Sequence, residues 1–335
     1  MRKFFALVAA ASLCAAQAAA HGHGHVSWQN DFSKVEIKTT KAAGNVYMLE
    51  GAGGNIGVIA GPDGLLIVDD QFAPLAEKIR AALKAINPGP LKFVLNTHWH
   101  FDHTGGNAAF GREGTLVAHA NVRRRLAVGA KSVAGQAVPP APKEALPVIT
   151  YSEAVQLHFN GEEVRVVHFP AGHTDGDSVI FFTGSNVIHM GDDFFAGRFP
   201  FVDIDSGGSV EGLIRNVGQV IAQAPAGVKI IPGHGPLSSI EDLRTYHGML
   251  QETTSLIRER MRQGKTLEQI KAEGLPEKWR TWGTGFINTD RWIETVHRSL
   301  SQAGGGGAKT GAAPRLFDRT RRGWRSTIPS LALAD

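Results

Sequence analysis

The feature that most constrains this chain is a run of histidine and aspartate residues directly after an apolar segment. The apolar segment covers residues 91–96, and it is followed by His98, His100, Asp102 and His103. Imidazole and carboxylate groups are ligands that suit Zn²⁺ and similar divalent cations. A strand that ends in a tight loop can direct several such side chains into one small volume. The run therefore predicts a metal site at a strand end, although a chance surface cluster of histidines would be the interpretation if it stood alone.

Three further candidate ligands stand in turns that follow apolar runs. His173, Asp192 and His234 each come directly after a glycine. Glycine permits the backbone angles of a sharp turn, so the next side chain can project from the edge of a sheet. A pattern of strand, glycine and ligand that occurs three times indicates a metal site built from several strand ends.

The order of these residues resembles the signature of the metallo-β-lactamase superfamily. The first run, then His173, then Asp192, then His234 follow that signature, and residues 65–69, which end at Asp69, resemble its first motif. The resemblance extends from about residue 46 to residue 236. It implies an α/β (α+β) fold, a four-layer αββα sandwich with the metal ions at one edge between the two sheets. Asp193 beside Asp192 is an alternative carboxylate, and the Gly-Asp pair that matches the family favours Asp192.

The resemblance also implies which residues bind which metal ion. In this family, three imidazoles hold one ion, a carboxylate and two imidazoles hold a second, and a further carboxylate bridges the two. The resemblance therefore implies two Zn²⁺ ions per chain. The corresponding residues here are, in that order, His98, His100 and His173, then Asp102, His103 and His234, and Asp192 as the bridge.

The implied chemistry is attack of a metal-activated hydroxide on a carbonyl group. Asp102 would also orient that hydroxide, which makes it the candidate catalytic residue. Asp69 would orient an imidazole of the site from behind, or would only end its strand. Trp99 and Arg198 are candidate substrate contacts, with a core position and a surface salt bridge as their alternatives.

The hydrophobic pattern is consistent with this fold. Apolar runs typical of strands alternate with stretches whose apolar residues recur at helical spacing. Such alternation predicts two α/β halves packed sheet to sheet. The predicted strands cover residues 46–49, 56–60, 65–68, 91–96, 155–159, 163–168, 179–182 and 187–190, and the predicted helices cover residues 74–86, 210–222 and 240–263.

The first twenty residues have the pattern of a secretory signal peptide. A basic start at Arg2 and Lys3 precedes an apolar core and small residues up to Ala20. The apolar stretch is shorter than the roughly 20 residues of a membrane-spanning helix. Cleavage would remove Cys14, the only cysteine, so the mature protein would have no disulfide and no thiolate ligand. We therefore expect a periplasmic or secreted protein with no stable membrane anchor.

Three regions are expected along the chain. Residues 1–20 are the signal peptide, residues 21–303 are the hydrolase domain with a C-terminal helical extension, and residues 304–335 are a Gly-rich basic tail that is expected to be disordered. The tail carries a net charge of +4 and the signal peptide +2, which leaves −2 of the formal +4 on residues 21–303. The pI of about 9.2 therefore does not indicate a nucleic-acid-binding body. A tethering role of the tail is the alternative, and the sequence does not indicate an oligomeric state.

The expected substrate is a small molecule with a strained cyclic carbonyl. A β-lactam is the first candidate because export would place the enzyme where such antibiotics act, which would make it an antibiotic-resistance enzyme. Asp192 and Phe195 stand where the best-known β-lactamase subclass has a cysteine and a lysine, so we expect any β-lactamase activity to be modest or promiscuous. The aspartate resembles that of lactonases and glyoxalase-type hydrolases, so lactones and thioesters are the alternative substrates. An iron-dependent oxygenase and a non-catalytic metal- or solute-binding protein of the same fold are the alternatives from other classes.

Overall fold

A computed structural model of the chain describes residues 31–131 and 137–305. The predicted signal peptide and most of the predicted tail lie outside the described residues. The strands are, in chain order, β1 (Lys38–Ala43), β2 (Val46–Glu50), β3 (Ile56–Gly61), β4 (Gly64–Val68), β5 (Leu91–Asn96), β6 (Thr115–His119), β7 (Ala130–Lys131), β8 (Ala137–Val138), β9 (Ile149–Tyr151), β10 (Ala154–Phe159), β11 (Glu162–His168), β12 (Ser178–Phe182), β13 (Val187–His189), β14 (Lys229–Ile231) and β15 (Ser238–Ser239).

The helices connect these strands and follow them at the C-terminal end. The α-helices are α1 (Ala76–Ile86), α2 (Phe101–Thr104), α3 (Asn107–Phe110), α4 (Ala120–Val128), α5 (Val210–Gln223), α6 (Ile240–Arg262), α7 (Leu267–Glu273) and α8 (Thr289–Gly305). Short 3₁₀ helices cover Phe32–Lys34, Ala73–Leu75, Lys143–Ala145, Gly191–Asp193, Ile204–Ser206 and Glu277–Thr284.

Two large sheets contain most of the strands. The first sheet has the order β1-β2-β3-β4-β5-β6-β9, and the second has the order β10-β11-β12-β13-β14-β15. Strands β4, β5, β6 and β9 run parallel to one another, as do β13 and β14. Residues after the carboxyl ends of parallel neighbours meet at one edge of a sheet, so both sheets offer such an edge for a site.

The first sheet is covered on both faces because its central strands are apolar throughout. On β4, Leu66 and Val68 pack in the cluster shared with the second sheet, whereas Leu65 and Ile67 pack in the cluster that contains α1. Successive side chains of a strand point to opposite faces, so an uninterrupted apolar strand requires a layer on each side. Helix α1 supplies the outer layer.

The second sheet repeats this arrangement with a larger outer layer. On β12, Ile180 and Phe182 face the first sheet, while Val179 and Phe181 pack in the cluster that contains α5, α6 and α8. The result is the predicted four-layer αββα sandwich, and the fold prediction is confirmed.

The predicted strands and helices correspond to observed elements, with boundaries shifted by a residue or two. The helix predicted at 74–86 begins instead as a 3₁₀ turn at Ala73–Leu75 and becomes α1 at Ala76. Helix α4 was not among the predicted elements, because three consecutive arginines within it obscure its apolar face. Strands β1, β6 and β9 were not predicted either. Helix α8 extends to Gly305, two residues past the expected domain boundary at 303. None of the described helices has the length and apolar character that a membrane span needs.

Candidate metal centre

The first group of candidate ligands lies where three strand ends meet. His98 and His100 follow β5, His173 lies in the β11–β12 loop, and Asp192 lies in the 3₁₀ turn after β13. Nδ1 of His100 is 3.1 Å from Nε2 of His98 and 2.8 Å from Nε2 of His173. Oδ2 of Asp192 is 3.4 Å from Nε2 of His173 and 3.8 Å from Nε2 of His98. All four side chains are buried.

The second group lies on the other side of Asp192. Asp102 and His103 belong to helix α2, and His234 follows β14. Nε2 of His103 is 3.4 Å from Nε2 of His234 and 3.6 Å from Oδ2 of Asp102. Nε2 of His234 is 3.3 Å from Oδ2 of Asp102. Oδ1 of Asp192 is 3.1 Å from His103 and 3.4 Å from His234, so each carboxylate oxygen of Asp192 faces one group.

The distances of the second group fit the ligands of a divalent metal ion, and those of the first group scatter more widely, from 2.8 to 3.8 Å. Tetrahedral ligands at about 2.0–2.1 Å from a zinc ion are about 3.3–3.4 Å from one another. The ligand-to-ligand distances of the second group run from 3.1 to 3.6 Å and scatter around that value. Oδ1 of Asp192 is buried and makes no hydrogen bond of acceptable geometry with the described residues, which is the condition of an oxygen that a cation would satisfy.

Glycines provide the space that the second group occupies. A Cβ atom on Gly54 would lie 2.0 Å from Cε1 of His103, and a Cβ atom on Gly233 would lie 2.0 Å from Oδ1 of Asp192. Any side chain at these two positions would displace a candidate ligand. A backbone hydrogen bond also joins the two sheets here, because the backbone N–H of Asn55 donates to the carbonyl of Gly233 at 2.7 Å.

Asp69 lies behind the second group, on the outer side of His103. Its Oδ2 is 2.7 Å from Nδ1 of His103, and its carboxylate also accepts hydrogen bonds from the backbone N–H and the hydroxyl of Thr97. The backbone of Asp69 has a φ of 64°, a conformation that non-glycine residues rarely adopt and that persists where the surrounding contacts hold it. The contact leaves Nε2 of His103 free to face the centre.

Other residues orient the first group, and the sequence pattern did not indicate them. Oδ2 of Asp203 accepts a hydrogen bond from Nε2 of His100 at 3.0 Å, and the carbonyl of Phe201 accepts from Nδ1 of His173 at 2.7 Å. Both belong to the loop between the 3₁₀ turn at Gly191–Asp193 and α5. No motif marks Asp203, and its partner lies 103 residues earlier in the chain, so only the fold relates the two.

Burial and charge set the protonation of the first group. Burial, together with the neighbouring His103, holds the pKa of His98 well below its ordinary value, and burial lowers the pKa of His173 to about 4. Burial would raise the pKa of Asp192, but His103 and His234 hold it well below the ordinary value. Neutral imidazoles and an ionised carboxylate are the forms that bind metal ions.

In the second group, the pKa values of the two histidines are raised instead of lowered. Burial lowers the pKa of His234, but the carboxylates of Asp192 and Asp102 outweigh this effect and raise the pKa to about 9. Burial also lowers the pKa of His103, but the carboxylates of Asp192 and Asp102 raise it well above its ordinary value. Metal binding here would displace a proton, which makes the affinity pH-dependent.

The structure distinguishes Asp192 from its neighbour. Asp193 points away from the ligand groups, and its Oδ1 accepts a hydrogen bond from the backbone N–H of His173 at 3.2 Å. Burial and the adjacent charge of Asp192 raise the pKa of Asp193 to about 7. Asp193 therefore supports the His173 loop from behind.

The two candidate substrate contacts have different surroundings. Trp99 is buried against Ala118 and Val122, and its ring lies 4.7 Å from that of His100, so it supports this imidazole from the interior. Arg198 is exposed and lies beside Gly285, and it makes no ion pair within the described part of the chain. Its contact with substrate stays a prediction.

Comparison with known proteins gives a family match and a set of structural neighbours. A family model described as the metallo-beta-lactamase superfamily matches residues 49–266. A metallo-beta-lactamase from Pontibacter korlensis aligns with a TM-score of 0.53 at 17% identity and covers 64% of this chain and 99% of its own. The metallo-beta-lactamase DIM-1 aligns with a TM-score of 0.54 at 18% identity, over 65% of this chain and 99% of its own. These likenesses show the fold.

Two further relatives have different activities in their names. The inverting sec-alkylsulfatase Pisa1 from Pseudomonas sp. aligns with a TM-score of 0.59 at 16% identity, over 78% of this chain and 50% of its own. The 2,4-dinitroanisole O-demethylase subunit alpha of Nocardioides sp. (strain JS1661) is 29% identical over 143 residues, which is 42% of this chain. The match spans only 40% of the length of that relative.

Proposed function

The chain belongs to the metallo-β-lactamase superfamily, and from this premise we propose that it is a dizinc hydrolase of strained cyclic carbonyl compounds, with β-lactams as the first candidate substrates. The single observation that carries the proposal is the position of Asp192 between the two ligand groups, with one carboxylate oxygen facing each group. When bound, two divalent cations supply Lewis acidity and lower the pKa of a water molecule towards about 7.

Asp102 is the residue that we assign to the proton of the attacking water. Its side chain is 32% exposed, compared with 5% for Asp192, so Asp102 faces the open side of the centre. A carboxylate there can accept a hydrogen bond from the water and fix its orientation towards the carbonyl carbon. Asp192 is buried and faces both ligand groups, so we assign it the role of bridging ligand.

The substrate class follows from the ligand set and the predicted export. A site with no separate acid for an amine leaving group favours substrates whose ring strain lowers the barrier, so β-lactams should react ahead of unstrained peptides. Lactones and thioesters are the second candidates because an aspartate takes the place of the cysteine of the best-known β-lactamases. The names of the relatives add a sulfate ester and an aryl methyl ether to the substrates worth testing.

The test is a metal analysis followed by a substrate panel. We expect about two zinc ions per chain after purification without added metal, and a zinc-loaded enzyme that hydrolyses a chromogenic cephalosporin faster than a peptide. The panel adds a carbapenem, an acyl-homoserine lactone, a glutathione thioester, a phosphodiester, an alkyl sulfate and an aryl methyl ether. A lactone preference of about tenfold in kcat/KM, roughly 1.4 kcal/mol, would move the proposal to the lactonase alternative.

Two outcomes would contradict the proposal itself. One iron per chain would favour the oxygenase, and activity on no member of the panel would favour a non-catalytic binding protein. The variant His98→Ala provides the matched control, because the three-imidazole group has no spare ligand and should lose metal and hydrolysis together. Full activity of this variant would refute the metal assignment.

Export is a separate part of the proposal. The predicted signal peptide supports a periplasmic or secreted location, with cleavage near Ala20. Expression of the full chain in a Gram-negative host, followed by fractionation and N-terminal sequencing, should give a periplasmic protein without its first residues. An uncleaved cytoplasmic product would contradict the location.

A further inference from the structure

We propose that Phe286 and Phe201 form an apolar wall of the substrate site and select substrates with a bulky apolar group beside the scissile bond. This inference rests on the hydrolase function proposed above and specifies its substrate class. Phe286 follows the 3₁₀ helix Glu277–Thr284 and lies beyond residues 49–266, which the family model matches. The wall is therefore supplied in part by the C-terminal extension of this chain.

The inner end of the wall lies at the first ligand group. The ring centroid of Phe201 is 5.7 Å from that of His100 and 5.8 Å from that of His173. The carbonyl of the same residue holds Nδ1 of His173 at 2.7 Å. The ring of Phe201 is thus fixed beside the imidazoles by the backbone that orients one of them.

The C-terminal segment packs on the same loop and brings Phe286 to it. The backbone N–H of Phe199 donates to the carbonyl of Trp282 at 3.1 Å, and the ring of Phe199 stacks on that of Trp292 at 5.8 Å. Phe286 meets Phe201 in a T-shaped contact at 6.5 Å. The guanidinium of Arg291 lies over the ring of Phe286 at 5.2 Å and holds its orientation.

The outer ring of the wall is partly open to solvent. Phe286 is 45% exposed, whereas Phe199 in the same cluster of contacts is 2% exposed. Phe101, which directly precedes the ligand Asp102, is 59% exposed and packs on Phe72 at 5.6 Å. Phe286 is thus linked to the first ligand group through Phe201, and Phe101 adjoins the second group in the chain. Apolar surface beside a cluster of polar groups is the usual composition of a small-molecule site.

The ion pairs of the two aspartates stay within the ligand groups. Within the described part of the chain, Asp102 and Asp192 form ion pairs with histidines only. Phe201 offers a substrate an aromatic surface beside the ligands, and the positive charge of Arg291 lies at the outer end of the wall.

The experiment uses γ-lactones that differ only in the alkyl group on the ring carbon bearing the scissile oxygen. The zinc-loaded full chain is assayed with γ-butyrolactone, γ-hexalactone and γ-decalactone by proton release. We expect kcat/KM to rise with the length of the alkyl group in the wild type. Phe286→Ala should lower kcat/KM for γ-decalactone by about tenfold and change that for γ-butyrolactone by less than about twofold. Phe286→Leu, which keeps an apolar side chain, should retain most of the preference.

Val148→Ala is the control for loss of an exposed apolar side chain. Val148 is 71% exposed and precedes β9, at the sheet edge opposite the metal centre. The Val148→Ala variant should leave the preference for lactones with long alkyl groups unchanged. Equal losses of kcat/KM for all three lactones in Phe286→Ala would contradict the proposed wall. A wild-type kcat/KM that does not depend on alkyl length would contradict it as well.

A second measurement separates this inference from the hydrolase function. If the wild type hydrolyses none of the lactones, binding of acetate, hexanoate and decanoate to the zinc-loaded protein is measured by calorimetry. Affinity that rises with chain length in the wild type and not in Phe286→Ala would support the wall while the lactone activity fails. Affinity that does not depend on chain length in the wild type would overturn the wall.

Discussion

At the scale of single residues, the two adjacent aspartates after β13 have different tasks. Asp192 faces both ligand groups, whereas Asp193 accepts a backbone hydrogen bond from the His173 loop. We expect Asp192→Asn to lower metal occupancy, and more at the second group than at the first, because a neutral amide is a poor bridging ligand between two dications. Asp193→Asn should have a much smaller effect, since the amide oxygen can still accept the hydrogen bond from the backbone N–H of His173. Metal titration of both variants checks this, and the reverse order would show that the bridge is assigned to the wrong residue.

Asp203 is the positioning residue for which we expect the largest effect outside the ligand set. Its carboxylate accepts from Nε2 of His100 and also from the backbone N–H of Ser206. Asp203→Asn should weaken metal binding or activity by about 10- to 100-fold, as the loss of a partner behind a ligand does in other metal sites. Chelator competition measures the affinity. Asp205→Asn, which removes only an exposed ion pair with Arg298, is the matched control, and an equal effect of the two changes would contradict the assignment.

At the scale of secondary-structure elements, a stacked histidine pair joins the two sheets near the metal centre. The rings of His119, at the end of β6, and His168, at the end of β11, stack at 3.7 Å with an interplanar angle of 7°. His119 accepts from the backbone N–H of Asn121 and contacts the carbonyl of Ser152 through its other nitrogen. Burial and the neighbouring His168 lower the pKa of His119 to about 4.

This pair should make the fold sensitive to acid. The folded-state pKa of His119 is depressed, so its stability contribution is present above the unfolded-state value of about 6.5 and is lost as the pH falls through about 4. His119→Asn keeps an acceptor for the helix N-terminus and cannot titrate in this range. The loss of unfolding free energy between pH 7.5 and 4.5, from urea titrations of the metal-free protein, should be about 1–2 kcal/mol smaller in this variant. The exposed His158→Asn is the control, and an unchanged pH dependence in His119→Asn would refute the role.

At the scale of the whole molecule, the C-terminal helix is part of the folded core. Trp292, Ile293 and Val296 of α8 are fully buried in the cluster that covers the second sheet. A chain that ends at residue 288 would expose that cluster, and we expect it to be insoluble or to unfold at a much lower temperature. The milder change Val296→Ala should cost about 2 kcal/mol in chemical unfolding. A chain that ends at Gly305 keeps the described helices intact and is the control, and a soluble, active protein without α8 would contradict the expectation.

The sequence by itself determined the family and most of the strands and helices of both halves, and it indicated the candidate ligands that the fold brings together. These features depend on short stretches of the chain. An uninterrupted apolar strand such as 65–68 requires covered faces, and a glycine followed by His173, Asp192 or His234 indicates a ligand at a strand end. Ligand chemistry and strand periodicity depend on residues that are close together in the chain, so they could be predicted without a structure.

Apart from Asp69, which the family resemblance suggested, only the tertiary structure decided which groups stand behind and around those candidate ligands. Asp203 contacts His100 across 103 residues of sequence, and Phe286 contacts Phe201 from a segment that follows the matched family region. Trp99 packs inward against Ala118 and Val122, and the substrate contact of the exposed Arg198 stays a prediction. Contacts of this kind depend on how distant segments pack, and a linear pattern carries no information on that packing.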